Sequence, residues 1–315
     1  MGHLTADDND KATQDMNRRI KAGLCGLSLA SATLMTPAQA DDTLVVGGLN
    51  YTEHLILTTA TSELLEANGY DIQQRDGMGT SVLRRAQENG QVDLYWEYTG
   101  NSVILFHKQA QPADADATYA QAKQLDAEEG LTWLAPSDTN NTYALAMRAD
   151  DAEARDIHSL SDMAAAMNDG AELTLASNAE FYARDDGLRP LQEAYGFRFP
   201  RDRVKRMDTG LTYDALRSGN VDVALVFATD GRNGAFDFEV LDDDQSFFPV
   251  YQLAPVVRQS VLDAHPDLAP LLNRMSAQLN DAVLIDLNRR VDVDEQSIDE
   301  VAHEFLVEQD LLQTP

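Results

Sequence analysis

One stretch of the chain repeats its own grammar. Asn89-Gly90-Gln91-Val92-Asp93-Leu94-Tyr95-Trp96-Glu97-Tyr98-Thr99-Gly100 is echoed by Ser218-Gly219-Asn220-Val221-Asp222-Val223-Ala224-Leu225-Val226-Phe227-Ala228-Thr229. Each copy reads as a helix end, a glycine stop, the pair Val-Asp, an apolar strand, and an aromatic residue eight positions after the glycine. Two α/β units built alike would place Tyr98 and Phe227 at matching strand ends, and in open α/β sheets ligands sit at the carboxyl ends of strands. The same pattern is also common strand grammar, so the echo suggests two lobes facing a cleft without proving them.

The punctuation around the echo alternates between strand and helix. Thr43–Gly48 reads as a strand, Thr52 as the N-cap of a helix over Glu53–Asn68, and Gly69 as its stop. A second strand near Tyr70–Gln74 leads to Thr80, which caps a helix over Ser81–Glu88, and Val92–Glu97 is the next strand. Later come a strand at Leu173–Ser177, helices at Asp186–Ala194 and Thr212–Arg217, and a strand at Val221–Ala228. From His265 on the chain reads as helices only, among them Leu268–Ala282 and Glu295–Glu308. Such alternation implies α/β layers with mostly parallel sheets.

The first forty residues are of another kind. Arg18, Arg19 and Lys21 form a basic region, and Ala22 to Met35 is apolar but too short to span a bilayer. Ala38-Gln39-Ala40 then has the small-x-small form of a signal-peptidase site. Residues 1–40 therefore read as a signal peptide cut after Ala40, with Met16 as an alternative start. The only cysteine, Cys25, leaves with it, and Leu24 stands where a lipoprotein signal wants a small residue. The exported chain is expected in the periplasm, soluble, with no second apolar stretch long enough to cross a membrane.

Charge narrows the function. The 315 residues carry 24 Lys+Arg against 53 Asp+Glu, a net charge of −29, and the leader removes four of each sign. That field excludes a sequence-independent nucleic-acid binder and a polybasic membrane-surface protein. Hydrophobic residues make up 43% of the chain, so the acids coat a folded protein, as suits concentrated salt, rather than mark a disordered tail.

Catalytic and metal signatures are missing. Gly77-Met78-Gly79-Thr80-Ser81 lacks the lysine and the spacing of a phosphate loop, and reads as a strand-to-helix turn. His54, His107, His158, His265 and His303 have no partner at zinc-ligand spacing. The Asp-Gly pairs at Asp76, Asp186 and Asp230 are turn formers. No cofactor, no metal and no enzyme activity are expected. What remains is aromatic: Tyr98, Tyr143 and Tyr251 stand beside small polar residues at loop edges. Each is either a half-buried strand-end tyrosine or one wall of a site where rings converge on a cation. A quaternary ammonium has no hydrogen-bond donor, so π faces must hold it.

At these residues a resemblance becomes specific. Gly47-Gly48-Leu49-Asn50-Tyr51-Thr52-Glu53, Glu97-Tyr98-Thr99-Gly100, Asn141-Thr142-Tyr143, Arg184-Asp185-Asp186-Gly187 and Ala228-Thr229-Asp230-Gly231 follow in order the pattern of one family. From about Thr43 to its end, the chain resembles the substrate-binding proteins of quaternary-amine ABC importers, the glycine betaine/carnitine/choline class, and looks closest to the OsmF-like branch. The resemblance implies an α/β, two-lobed periplasmic-binding-protein fold of type II, with two crossover strands and the ligand cleft between the lobes. Lobe 1 would be Asp41–Ala146 with Leu253–Pro315, and lobe 2 Met147–Gln252. It implies an aromatic box of Tyr98, Tyr143, Phe227 and Tyr251 around the ammonium head, with Arg184 and Asn101 gripping the ligand carboxylate. Leu49 stands where the family commonly has a lysine. The implied partners are a small quaternary amine, and an ABC permease in the inner membrane with its ATPase; no nucleic acid is implied, and the protein is expected as a monomer. A choline-selective receptor or an exported sensor on the same fold is the alternative, and a periplasmic enzyme a third.

Overall fold

Among the described residues, ten strands form two five-stranded sheets of the same topology. The computed structural model describes residues 43–110, 112 and 114–312, so the signal peptide expected over residues 1–40, with its cut after Ala40, lies outside the described residues. The first sheet holds β1 (Thr43–Leu49), β2 (Asp71–Met78), β3 (Leu94–Tyr98), β4 (Leu131–Trp133) and β10 (Leu253–Arg258), in the order β2-β1-β3-β10-β4. The second holds β5 (Tyr143–Arg148), β6 (Leu175–Ser177), β7 (Val204–Arg206), β8 (Val223–Phe227) and β9 (Phe238–Val240), in the order β7-β6-β8-β5-β9. In each, three strands run parallel, and the fourth neighbour is antiparallel and arrives from the other sheet: β10 beside β3, β5 beside β8.

The chain therefore crosses between lobes twice, through 134–142 and through 241–252. The two crossings run side by side. Asn141 N–H donates to Tyr251 O at 3.2 Å, Tyr251 N–H to Asn140 Oδ1 at 2.8 Å, and Thr142 Oγ1 to Pro249 O at 3.2 Å. The whole of β5 belongs to the second sheet, so a division between Ala146 and Met147 falls inside a strand.

The internal echo has a physical cause. Gly90 and Gly219 end their helices in the left-handed region, at φ +73° and +71°, which costs glycine nothing. The following Asp then clasps the neighbouring strand. Asp93 Oδ2 accepts Val45 N–H at 2.8 Å, while Asp222 Oδ2 accepts Thr174 N–H at 2.8 Å and its hydroxyl at 2.6 Å. The offset that carries Asp93 to Asp222 also carries Tyr98, the last residue of β3, to Phe227, the last residue of β8.

Helix ends depart from the sequence reading where tertiary partners intervene. Tyr51 and Gly79, not Thr52 and Thr80, occupy the N-cap positions. Both threonine hydroxyls point elsewhere: Thr52 donates to Asp292 at 2.7 Å and Thr80 to Glu180 at 3.2 Å. The helix expected over Leu268–Ala282 is two, Leu268–Ser276 and Asp281–Asp292, because Asn280 Oδ1 takes Val283 N–H and starts a new one. Ser297 likewise starts the last helix at Ile298. These helices cover Thr52–Ala67, whose Ile56, Leu57, Ala60 and Leu64 share one core with Val301, Ala302 and Phe305. No helix among the described residues is long and apolar enough to cross a membrane.

The clasps are testable. Asp93→Ala and Asp222→Ala each leave a backbone N–H of a neighbouring segment without its acceptor. Each should cost about 1–3 kcal/mol of stability, read as a lowered midpoint in chemical denaturation at unchanged slope.

Candidate functional site

The rings named from the sequence come together where strands end and crossings begin. Tyr98 closes β3, Phe227 closes β8, Tyr143 opens β5, and Tyr251 precedes β10 by two residues. Tyr143 lies 5.1 Å from Phe227 and 5.8 Å, edge to face, from Tyr251. All four line one small cavity together with Asn101, Thr80 and Asn141. Tyr98, Tyr143 and Tyr251 are buried and Phe227 is half-buried. The ring of Tyr251 lies on Gly100, where an added Cβ would stand 2.6 Å from Cε1; that close approach explains the glycine after Tyr98-Thr99. A fifth ring, Tyr51, stacks on Phe227 at 6.0 Å and was not singled out from the sequence, although it follows the carboxyl end of β1.

The small cavity adjoins a cleft of about 650 Å³ lined from both lobes, by Glu53, Asn288 and Asp292 on one side and Thr229, Asp230 and Arg232 on the other. Glu53 joins the two sides. Its Oε1 accepts Tyr98 OH at 2.5 Å and Asn141 Nδ2 at 2.9 Å; its Oε2 accepts Thr229 Oγ1 at 2.6 Å and Asn288 Nδ2 at 3.1 Å. Burial pushes its carboxyl above the ordinary range despite these four donors. Glu97, on the other side of Tyr98, accepts Tyr98 N–H at 2.7 Å, Asn101 Nδ2 at 2.9 Å and Tyr95 OH at 2.6 Å. Burial pushes it up to about 6. His54 packs between Tyr51 and Tyr98, and burial lowers it to about 3, so it is neutral.

Arg184 stands at the cluster, but its donors are already engaged. Nε and Nη2 bind the two oxygens of Asp186 at 2.7 and 2.8 Å. Nη1 donates to Asn101 Oδ1 at 2.9 Å and Glu180 Oε1 at 3.2 Å, and Nη2 also reaches Tyr251 OH at 2.9 Å. The guanidinium centre lies 5.6 Å from the Tyr143 ring and 5.8 Å from the Tyr251 ring. Asn101, between Glu97 and Arg184, is engaged at both ends of its amide. The pair thus bridges the lobes. Leu49 is not in the site: it is 1% exposed and packs with Leu83, Val92 and Tyr95, so a lysine there would bury its charge in apolar surroundings.

Glu53, Asn141, Thr229 and Asn288 escaped the sequence reading as individual site residues. Glu53, Asn141 and Thr229 each lie inside a motif that carries the family resemblance, whereas Asn288 lies in none. No group of His, Cys, Asp or Glu among the described residues is arranged to hold a metal ion.

The raised carboxyl of Glu97 has a measurable consequence. Its folded value of about 6 exceeds the ordinary 4.5, so the folded protein holds the proton more tightly than the unfolded chain. The resulting stabilisation is complete below about pH 4.5 and is lost as pH rises through 6. Glu97→Gln removes this dependence, shrinking the stability difference between pH 4 and pH 8 by about 2 kcal/mol, measured from denaturation midpoints of both proteins at each pH.

Residues 42–308 match the OpuAC family, described as the substrate binding domain of the ABC-type glycine betaine transport system. A glycine-betaine-binding protein of Pseudomonas aeruginosa is 43% identical over 304 residues, covering 94% of this chain and 96% of its own. The glycine betaine-binding protein YehZ of Escherichia coli is 34% identical over 87% of this chain and 93% of its own. A solved structure described as a glycine betaine/carnitine/choline ABC transporter superposes with a TM-score of 0.71 at 27% identity, covering 85% of this chain and 99% of that one.

Proposed function

The chain belongs to the OpuAC family of ABC-importer substrate-binding proteins, and from that membership we propose that it captures glycine betaine in the ring cluster and delivers it to a membrane permease driven by an ATPase. The observation that carries the ligand class is the convergence of Tyr98, Tyr143, Phe227 and Tyr251 on one cavity at the junction of both sheets and both crossings. Rings drawn from both lobes can desolvate a trimethylammonium group on several sides, each face contributing up to ~2 kcal/mol. Contacts to both lobes stabilise the closed arrangement, so the ligand shifts a pre-existing equilibrium. The ligand carboxylate enters at Nη1 of Arg184 beside Asn101, displacing Glu180, while Asp186 keeps its hold on the rest of the guanidinium. The lobes, expected as 41–146 with 253–315 and as 147–252, are better divided at the start of β5, as 41–142 with 253–315 and as 143–252. The protein acts as a periplasmic monomer, exported by a leader cut after Ala40.

Choline is the second reading, favoured by the engagement of Arg184: a ligand without a carboxylate asks nothing of that guanidinium. Calorimetry of the mature protein against glycine betaine and choline decides between them. Under the betaine reading Arg184→Ala weakens betaine roughly a hundredfold and choline much less. Equal losses would mean that Arg184 holds the lobes together and not the carboxylate.

Two further outcomes follow from the cage. Tyr98→Ala should weaken betaine roughly tenfold or more, and Tyr98→Phe much less, since its ring face remains. Trp96 shares a core with Tyr98, Tyr143 and Tyr251, whereas Trp133 lies in a separate cluster. Ligand should therefore change the fluorescence of Trp133→Phe much as it does that of the native protein, and leave Trp96→Phe nearly silent.

A further inference from the structure

Two buried carboxylates flank Tyr98, and among the described residues neither is hydrogen-bonded to a basic side chain. Glu53 holds the hydroxyl end of the ring and Glu97 its backbone N–H. Arg184 is balanced by Asp186 and Glu180, Arg232 by Asp230 and Asp292, and Arg84, whose field reaches Glu97, by Asp126 and Glu88; Arg206, at the cleft lining, is exposed. The interior around the rings is therefore short of a positive charge.

We propose that Glu53 is the counter-charge of the bound ammonium group, so that the cage selects a cation over an uncharged group of the same shape. The inference rests on the quaternary-amine reading above. The surroundings of Glu53 are built for the ionised form. Each oxygen accepts two hydrogen bonds, and the Asn288 amide is fixed as a donor there because its Nδ2 also donates to Thr229 O at 2.9 Å. The residue also sits in the first turn of the 16-residue helix Thr52–Ala67, where the backbone dipole favours a negative charge. Buried at 3% exposure and lining the cleft, its field is poorly screened. The negative ring faces already favour N⁺ over C, and a carboxylate at the foot of Tyr98 adds to that discrimination with a full charge. One of its four donors, Thr229, comes from the opposite lobe, so the anion is fully solvated by the protein only when the lobes meet.

The test replaces the ligand nitrogen by carbon. Glycine betaine and 3,3-dimethylbutanoate have the same shape and the same carboxylate but differ in the cationic centre. Competition calorimetry, carried to concentrations at which the carbon analogue binds, is applied to the native protein, Glu53→Gln and Thr229→Val. Glu53→Gln should weaken betaine roughly tenfold or more and should tighten the analogue, because an anion no longer faces an anion. Thr229→Val, which takes one donor from the carboxylate, should show the same signs at smaller size, and it decides the matter should Glu53→Gln fail to give a native melting transition. Equal weakening of both ligands in either variant would overturn the proposal and reduce Glu53 to a prop for the ring. A native protein that binds neither betaine nor choline would instead remove the reading on which the proposal stands.

Discussion

A buried carboxylate must find donors or it does not stay buried, since an uncompensated charge in a protein interior costs several kcal/mol. Glu53 meets that requirement with donors from four distant parts of the chain: the end of β3, the first crossing, the turn after β8, and the helix Asp281–Asp292. Presenting all four at one point fixes the relation of the first sheet, the crossing, the second sheet and the carboxyl-terminal helices. The ring of Tyr98 is oriented as a consequence, because its hydroxyl is one of the four donors. The ring cluster is thus tied at Tyr98 into a network of buried polar bonds.

The second constraint is the doubled sheet. Each lobe takes its one antiparallel neighbour from the other lobe's chain, so the two crossings have to leave and enter beside the parallel strands that carry Tyr98 and Phe227. Tyr143 pairs in register with Phe227, and Leu253 with Tyr98. Rings contributed by the crossings and rings contributed by the strand ends are brought together by ladder hydrogen bonds, with no dedicated loop needed. Gly100 then removes the one Cβ that would keep Tyr251 away. Of these rings, Tyr251 lies in the second crossing and Tyr143 directly follows the first.

Parts of this were legible in the sequence because they rest on local or periodic signals. The Gly-x-Val-Asp echo marks a turn with a left-handed glycine and an aspartate clasp, both short-range features, and so it located β3, β8 and the matched aromatics. Helix stops at Gly69, Gly90 and Gly219 follow from the same backbone freedom. The caps at Thr52 and Thr80 did not follow, since a threonine hydroxyl chooses the best acceptor within reach, and Asp292 and Glu180 lie far away in the chain. The break at Asn280 shows the converse case, where a local cap overrides a continuous apolar pattern.

The amino-acid sequence by itself determined the α/β class, the recurrence of one sheet plan and the acidic coat, because each depends on residues close together in the chain or on composition; the set of four rings came from the family resemblance. Only the tertiary structure decided which polar groups serve the rings. Arg184 looked like an open cation until folding set Asp186, Glu180, Asn101 and Tyr251 around it. Leu49 looked like a missing charge until β1 turned it into the core. Glu53 looked like one acid among 53 until four donors converged on it. Glu53 finds all four donors 45 to 235 residues away, and Arg184 adds Asn101 and Tyr251, 83 and 67 residues away, to its near neighbours Asp186 and Glu180; no local spacing in the chain specifies such distant partners.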